Sequence, residues 1–393
     1  MKILIASATY YPGNNGQASF TIRLCEGLTN DGHQVCVLVP ADTLQSYSLN
    51  LNGVQVERIG SFHAQWLHPE THITPFPFGV VNRVMDEFRP DIVHIQDHYP
   101  ICISVTWAAR RRKLPLLGTN HFLPENLQYK LRFLPLPTKT IHDLLWQSML
   151  VTYNLLDHVT TPTATAAEIL RAQKIRVPVT PISCGVDTRR FYPIPDLDCA
   201  QVRRKYGIDP DRAILLYIGR HDREKRLDLL LNAANQLDRD DYQMVFIGSG
   251  AFAGALRRMA SHYHLEKKAI FLGFLPSEHL VPILNCADLF IMPSPEELQS
   301  IASLEAMACA KPVLAARARA LPELVHDGIN GALFNPNDAG DLAYQINHLL
   351  DRRQDWAKMG AASRKIAETH DIQNTVHKYV ALYQEVIQQK KAG

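Results

Sequence analysis

The sequence predicts an α/β protein built from two doubly wound domains. Three observations carry this: the length of 393 residues, an alternation of apolar strand-like runs with amphipathic helical runs, and the return of that alternation after residue 200. A chain of this length exceeds one ordinary core, so two sheets and a cleft between them are expected. The first strand is read over 2–7 from the run ILIA, followed by a loop over 8–17 and a helix over 18–30. Phe20, Leu24 and Leu28 recur every four residues and give that helix one apolar stripe. Gly32 stops it, and strands follow at 34–39, 91–95 and 114–117. Alternation of this kind builds parallel, doubly wound sheets. The second set comprises strands at 213–218, 243–247, 269–272, 288–292 and 312–315, with helices at 227–237, 251–263, 279–286 and 301–309.

Between the two sets, Pro193 and Pro195 break the periodicity, which places a hinge at 186–200. The expected domains are therefore 1–185 and 201–370, with a helical segment over 371–393 that packs back on the first. Segment 49–80 resists assignment beyond loops and one strand. A net charge of +2, without an aromatic-interleaved basic motif, argues against a nucleic-acid partner. Seven cysteines lie scattered without a C-x-x-C pair, which predicts reduced thiols and a cytoplasmic protein. No run of about 18 apolar residues is present to cross a bilayer.

The most informative stretch is PSPEELQSIASLEAMAC at 293–309, where Glu297 and Glu305 bracket seven residues as a loop runs into a helix. Ser300, Ile301 and the small residues beside them leave the helix start open to an anion, and the preceding strand puts the acids at a carboxyl sheet edge. Carboxylates there can accept hydrogen bonds from vicinal hydroxyls. After strand 213–218, Gly219 leads into a loop holding Arg220 and Lys225, two cations suited to a diphosphate. In the first half, Gly13 and Gly16 lie between strand and helix, where Gly16 amides could approach a phosphate. His121 follows the strand at 114–117 and so reaches the same kind of edge. The 122–133 mixture of aromatic, apolar and basic residues suits a membrane interface, and Arg110, Arg111, Arg112 and Lys113 read as a solvated helix end.

Other apparent motifs are set aside. Two D-x-D triplets, 196–198 and 238–240, lie in the hinge and after a helix, away from strand ends, so no metal site is assigned. Gly248 and Gly250 imitate a dinucleotide fingerprint but lack its third glycine and its acidic partner.

Taken together, these segments resemble the retaining glycosyltransferases of family 4, whose GT-B fold sets two Rossmann-like domains across a central cleft. The resemblance covers nearly the whole chain: the 13–16 loop, Thr119-Asn120-His121, 182–187, Gly219-Arg220 with Glu224-Lys225, 271–274, and the E-x7-E signature from Glu297 to Glu305. It implies that Arg220 and Lys225 hold a donor diphosphate, Glu305 the ribose and Glu297 the transferred sugar. Amides near Ser300 and Ile301 close on phosphate, and Gly16 contacts it from the other domain. His121 stands beside the donor sugar, and the base rests near Gly273 and Phe274. Attack from the front face, with the leaving phosphate accepting the proton, needs no protein nucleophile and no cofactor beyond the nucleotide-sugar substrate. Eight positions of helical rise, about 12 Å, would hold the two glutamates too far apart for a glycosidase pair.

Leu298-Gln299-Ser300 replaces the commoner Gly-Phe-Gly, and Cys184 stands where asparagine is usual. With Asn120, Phe122 and Asn126, this variant resembles bacterial enzymes that glycosylate diacylglycerol. The expectation is transfer of glucose from UDP-glucose to a lipid hydroxyl, with peripheral association at the inner membrane face. GDP-mannose or a soluble acceptor is the alternative, and a non-catalytic nucleotide-sugar-binding regulator is the alternative of another class.

Overall fold

A computed structural model describes residues 1–13, 15–63, 72–75, 77–124 and 137–392. The chain forms two compact units, residues 1–184 with 372–393, and residues 185–371.

In the first unit, β1 (Lys2–Ala6), β2 (Gln34–Pro40), β3 (Tyr47–Leu51) and β4 (Val54–Ile59) precede a small pair, β5 (Phe62–His63) and β6 (His72–Ile73). β7 (Ile92–Ile95), β8 (Leu116–Thr119), β9 (His158–Thr161) and β10 (Val179–Pro181) complete it. Their order is β10-β9-β8-β7-β1-β2-β4-β3, parallel except for the antiparallel β3–β4 hairpin, which accounts for part of the unassigned 49–80 segment. The sheet winds outward in both directions from β1 and β7, so their carboxyl ends flank the switch point where such sheets take ligands. Ile3, Leu4 and Ile5 are fully buried, and each side chain so buried contributes about 1.5–3 kcal/mol.

The helix Ile372–Ala392 belongs to this unit. It lies against the first helix, Gly16–Asn30, at a point where a Cβ on Gly27 would come within 2.4 Å of Val376 Cγ2. Glycine is what permits the close crossing.

The second unit carries one parallel sheet of β11 (Ala213–Ile218), β12 (Tyr242–Ile247), β13 (Ala269–Gly273), β14 (Leu289–Met292), β15 (Val313–Ala316) and β16 (Gly331–Phe334), ordered β13-β12-β11-β14-β15-β16. Its switch point falls between β11 and β14. Two doubly wound α/β sheets are thus present, as the alternating pattern predicts.

Residues 186–200, read from sequence as a hinge, pack within the second unit. Val186 N–H donates to His370 O at 2.8 Å, and Arg364 Nη1 donates to the carbonyls of Phe191 and Thr188 at 2.8 and 3.3 Å. The expectation of uniformly reduced cysteines is corrected: Cys199 and Cys286 form a disulfide with Cα atoms 5.1 Å apart, while Cys25, Cys36, Cys102, Cys184 and Cys309 are buried thiols. The two partners lie 87 residues apart and meet only where the helices Cys199–Lys205 and Ser277–Cys286 adjoin, which spacing alone does not reveal. Among the described residues, no helix is long and apolar enough to cross a membrane.

Candidate functional site

The second unit gathers its sequence-marked residues at the carboxyl ends of β11 and β14. Tyr217 helps shape the loop after β11 by donating its hydroxyl to Arg220 O at 2.9 Å. The Arg220 guanidinium then ion-pairs with Asp222 and, at 2.7 Å, with Glu224, both carboxylates being buried. Lys225 reaches across to the loop after β14 and meets Glu297 at 2.6 Å, 72 residues away. A buried carboxylate is costly unless paired, and Glu297, only 9 % exposed, has that cation. Glu305 is equally buried, within the helix Ile301–Ala308.

Ser300 caps that helix. Its hydroxyl oxygen accepts from Ser303 N at 3.2 Å and from the Ser303 hydroxyl at 2.8 Å. First-turn amides have no carbonyl one turn before them and point outward from the helix start, favouring an anion. One sequence expectation needs correction here. The helix starts at Ile301, so Glu297 lies on the preceding loop and the 12 Å helical separation from Glu305 does not hold.

Gly248 and Gly250, set aside in the sequence as an imitation fingerprint, support the cationic loop. A Cβ on Gly248 would fall 2.0 Å from Gly219 O, and one on Gly250 would fall 2.5 Å from His221 O. Bare backbone here lets His221 N–H donate to Ser249 O at 2.8 Å and Ala251 N–H to the Asp222 carboxylate at 3.1 Å. On the neighbouring strand, Gly273 takes a left-handed φ of 74°, and Phe274 beside it is 55 % exposed.

The first unit builds its carboxyl edge from the buried Asp97 carboxylate and a set of neutral groups. Gly16 is the first residue of its helix, capped by Asn15, whose side chain accepts from Ala18 N at 2.9 Å. Asp97, just past β7, holds this loop: one carboxylate oxygen accepts from Ala8 N and Gln17 Nε2, both at 2.7 Å, and the other from Tyr99 N at 2.9 Å. His121 Nε2 lies 2.9 Å from Gln96 Oε1, with the Phe20 ring 4.9 Å away. Behind it, His94 bonds Tyr383 OH at 2.8 Å and Thr119 Oγ1 at 2.7 Å, while Tyr379 OH meets Thr119 and Thr160 at 3.1 and 3.0 Å. Desolvation pulls both His94 and His121 down to about 3, so they are neutral at ordinary pH.

The acceptor candidates separate. Asn120 is buried, with its amide oxygen accepting from Phe122 N at 3.1 Å and Tyr153 OH at 3.4 Å, so it braces the turn. Phe122 packs its ring 5.4 Å from that of His98. Asn126, with the rest of 125–133, lies outside the described residues. Of the two D-x-D triplets, Asp198 caps a helix by accepting from Gln201 N at 2.9 Å, and Asp240 pairs with Lys268 at 2.8 Å. Sequence reasoning missed Gln96 and Asp97, although a polar run directly after an apolar strand was the available signal. It also missed Asp222, Tyr379 and Tyr383.

Comparisons with known proteins agree across both units. Residues 14–190 match the family described as Glycosyltransferase Family 4, and residues 199–366 the family described as Glycosyl transferases group 1. A GDP-mannose-dependent alpha-mannosyltransferase of Corynebacterium glutamicum is 25 % identical, over 86 % of this chain and 78 % of its own. The D-inositol 3-phosphate glycosyltransferase of Mycolicibacterium smegmatis is 30 % identical, over 82 % and 74 %. The alpha-monoglucosyldiacylglycerol synthase of Streptococcus pneumoniae is 23 % identical, over 85 % and 75 %. Among solved structures, the sucrose-phosphate synthase of Thermosynechococcus elongatus superposes with a TM-score of 0.80 at 20 % identity, covering 99 % of both chains. Anabaena HepE in complex with UDP-glucose gives 0.76 at 21 %, covering 100 % of both, and these likenesses concern the fold.

Proposed function

This chain belongs to the family 4 glycosyltransferases of GT-B architecture, and from that premise we propose that it moves glucose from UDP-glucose to a lipid hydroxyl, such as that of diacylglycerol, with retention at the anomeric carbon. The observation that carries the reading is the Lys225–Glu297 pair at the switch point between β11 and β14. An arriving diphosphate competes for Lys225 as a stronger anion, and Glu297, released, accepts hydrogen bonds from sugar hydroxyls. Arg220 supplies a second, bidentate cation, and Gly219 keeps the turn beneath it narrow. Glu305 takes the ribose diol, the amides at Ser300 and Ile301 take phosphate oxygens, and Phe274 beside Gly273 offers a face to the base. In the first unit, Gly16 presents a helix-start amide to phosphate and His121 addresses the sugar.

As the glycosidic bond breaks, charge grows on the leaving diphosphate, where preorganised cations and amides stabilise it most. A phosphate oxygen on the same face accepts the proton of the attacking hydroxyl, so no protein nucleophile enters. The donor and acceptor are favoured by the UDP-glucose complex of HepE and by the name of the pneumococcal relative. The mannosyltransferase relative favours a second reading, GDP-mannose as donor. A thermal-shift panel of nucleotide sugars separates the two, because a ligand of the folded state raises the melting temperature by mass action. UDP-glucose should give the largest rise and then label diacylglycerol in vesicles. A larger rise with GDP-mannose overturns the donor assignment. Tight binding without hydrolysis or transfer of any donor would instead favour a regulatory binder. Peripheral membrane association is tested by vesicle flotation, and binding indifferent to both lipid and salt would count against it.

A further inference from the structure

Gln96 sits between two histidines and touches both. It is fully buried at the carboxyl end of β7, its backbone pinned by donation to Ala6 O at 2.8 Å. Its Nε2 stands 3.3 and 3.2 Å from the two ring nitrogens of His94, nearly equidistant, so the amide lies against that ring. The His94 nitrogens are themselves engaged by Tyr383 and Thr119, which locks the ring in place. Gln96 Oε1 therefore faces His121 Nε2 from a fixed platform. A carbonyl oxygen can only accept, so the facing nitrogen carries the hydrogen. In a neutral imidazole the other nitrogen is then a lone pair.

We propose that Gln96 is a positioning residue that fixes His121 as its Nε2–H tautomer, so that Nδ1 offers a lone pair to a hydroxyl of the donor sugar. Toward the sugar, His121 thus acts as a hydrogen-bond acceptor, while its Nε2–H donates to Gln96 and the ring carries no charge. Phe20 sets the plane of the ring from its flank. Burial keeps the ring neutral, and the titratable neighbour coupled to it is His94, itself neutral. The inference rests on the reading of His121 as a donor-sugar residue.

Long-range 1H–15N spectra of the full-length protein labelled at histidine report the tautomer directly, with His121 assigned by its disappearance in His121→Asn. The wild type should show the Nε2–H pattern at neutral pH, and UDP-glucose should shift the Nδ1 resonance. Gln96→Met keeps the volume but not the acceptor. It should give a mixture of tautomers and about a tenfold fall in kcat with donor KM little changed. Gln96→Glu should draw a second proton onto the ring, so its turnover falls from about pH 8 to about pH 6 while the wild type stays level. An Nδ1–H pattern in the wild type, or an unchanged His121 spectrum in Gln96→Met, overturns the proposal whether or not sugar is transferred. The Nε2–H pattern without response to any nucleotide sugar overturns the placing of His121 at the sugar, and the proposal with it.

Discussion

The two carboxyl sheet edges answer one problem, how to bury polar groups at a switch point, in opposite ways. The second unit uses charge: Arg220 with Asp222 and Glu224, and Lys225 with Glu297. The first holds its Asp97 carboxylate with N–H donors and otherwise uses neutral hydrogen bonds among His94, Thr119, Thr160, Tyr379 and Tyr383, with Gln96 passing the constraint to His121. Buried ion pairs hold cations whose partners can be exchanged for a better anion. A buried neutral network offers no such exchange and rewards rigidity instead. The charged edge suits a ligand's phosphates, and the neutral edge suits a group that must be positioned.

The sharpest way to break this contrast is Lys225→Ala, which removes a cation and strands a buried carboxylate. Sugar transfer should fall about 10²–10³-fold, and stability should fall by about 3–5 kcal/mol. Adding Glu297→Gln should restore the denaturation midpoint but not turnover. Recovery of both would mean the pair is structural.

Acid should strike the neutral edge next. His94 and His121 have folded values near 3, below the ordinary 6.5 of the unfolded chain. Unfolding therefore takes up protons between those limits, and stability present above about pH 6.5 is lost as pH falls, approaching about 1.4 kcal/mol per pH unit for each ring. Melting temperatures level from pH 7 to about pH 4.5 would contradict that. Glu305→Gln should weaken donor binding about 10–100-fold by calorimetry, since hydrogen bonds to a charged group contribute about 1.5–3 kcal/mol. The smallest effect is expected for Tyr383→Phe, about 1 kcal/mol in urea unfolding with donor affinity unchanged. A loss of donor affinity there would show that the network is part of the binding apparatus.

How much of this was legible depended on sequence distance. Ile3-Leu4-Ile5 and the run at 213–218 announced their strands locally, and the E-x7-E spacing marked the charged edge before any contact was known. Lys225 and Glu297 could be set at one sheet edge from sequence, though not as an ion pair, because each lies in the loop after its own strand and parallel strands deliver their carboxyl ends to one side. At the neutral edge, local signals reached His121 and the polar run after β7, but not the tyrosines behind them. Tyr383 lies 289 residues from His94, and Tyr379 lies 260 from Thr119, on a helix whose amphipathic pattern says that it packs but not against what. The proline-broken 186–200 segment looked unattached because its anchors, His370, Arg364 and Cys286, are all distant in sequence. Gly248 and Gly250 were rightly set aside as a fingerprint, but their structural role went unread for a related reason, since a close approach of two backbones leaves no side-chain signature.

The return of the helix Ile372–Ala392 to the first unit bears on how the protein is made. Tyr379 and Tyr383 leave the ribosome only after every residue of the second unit has emerged. The unit whose sheet is synthesised first thus stays open along the groove that this helix fills until residues 372–392 have been made.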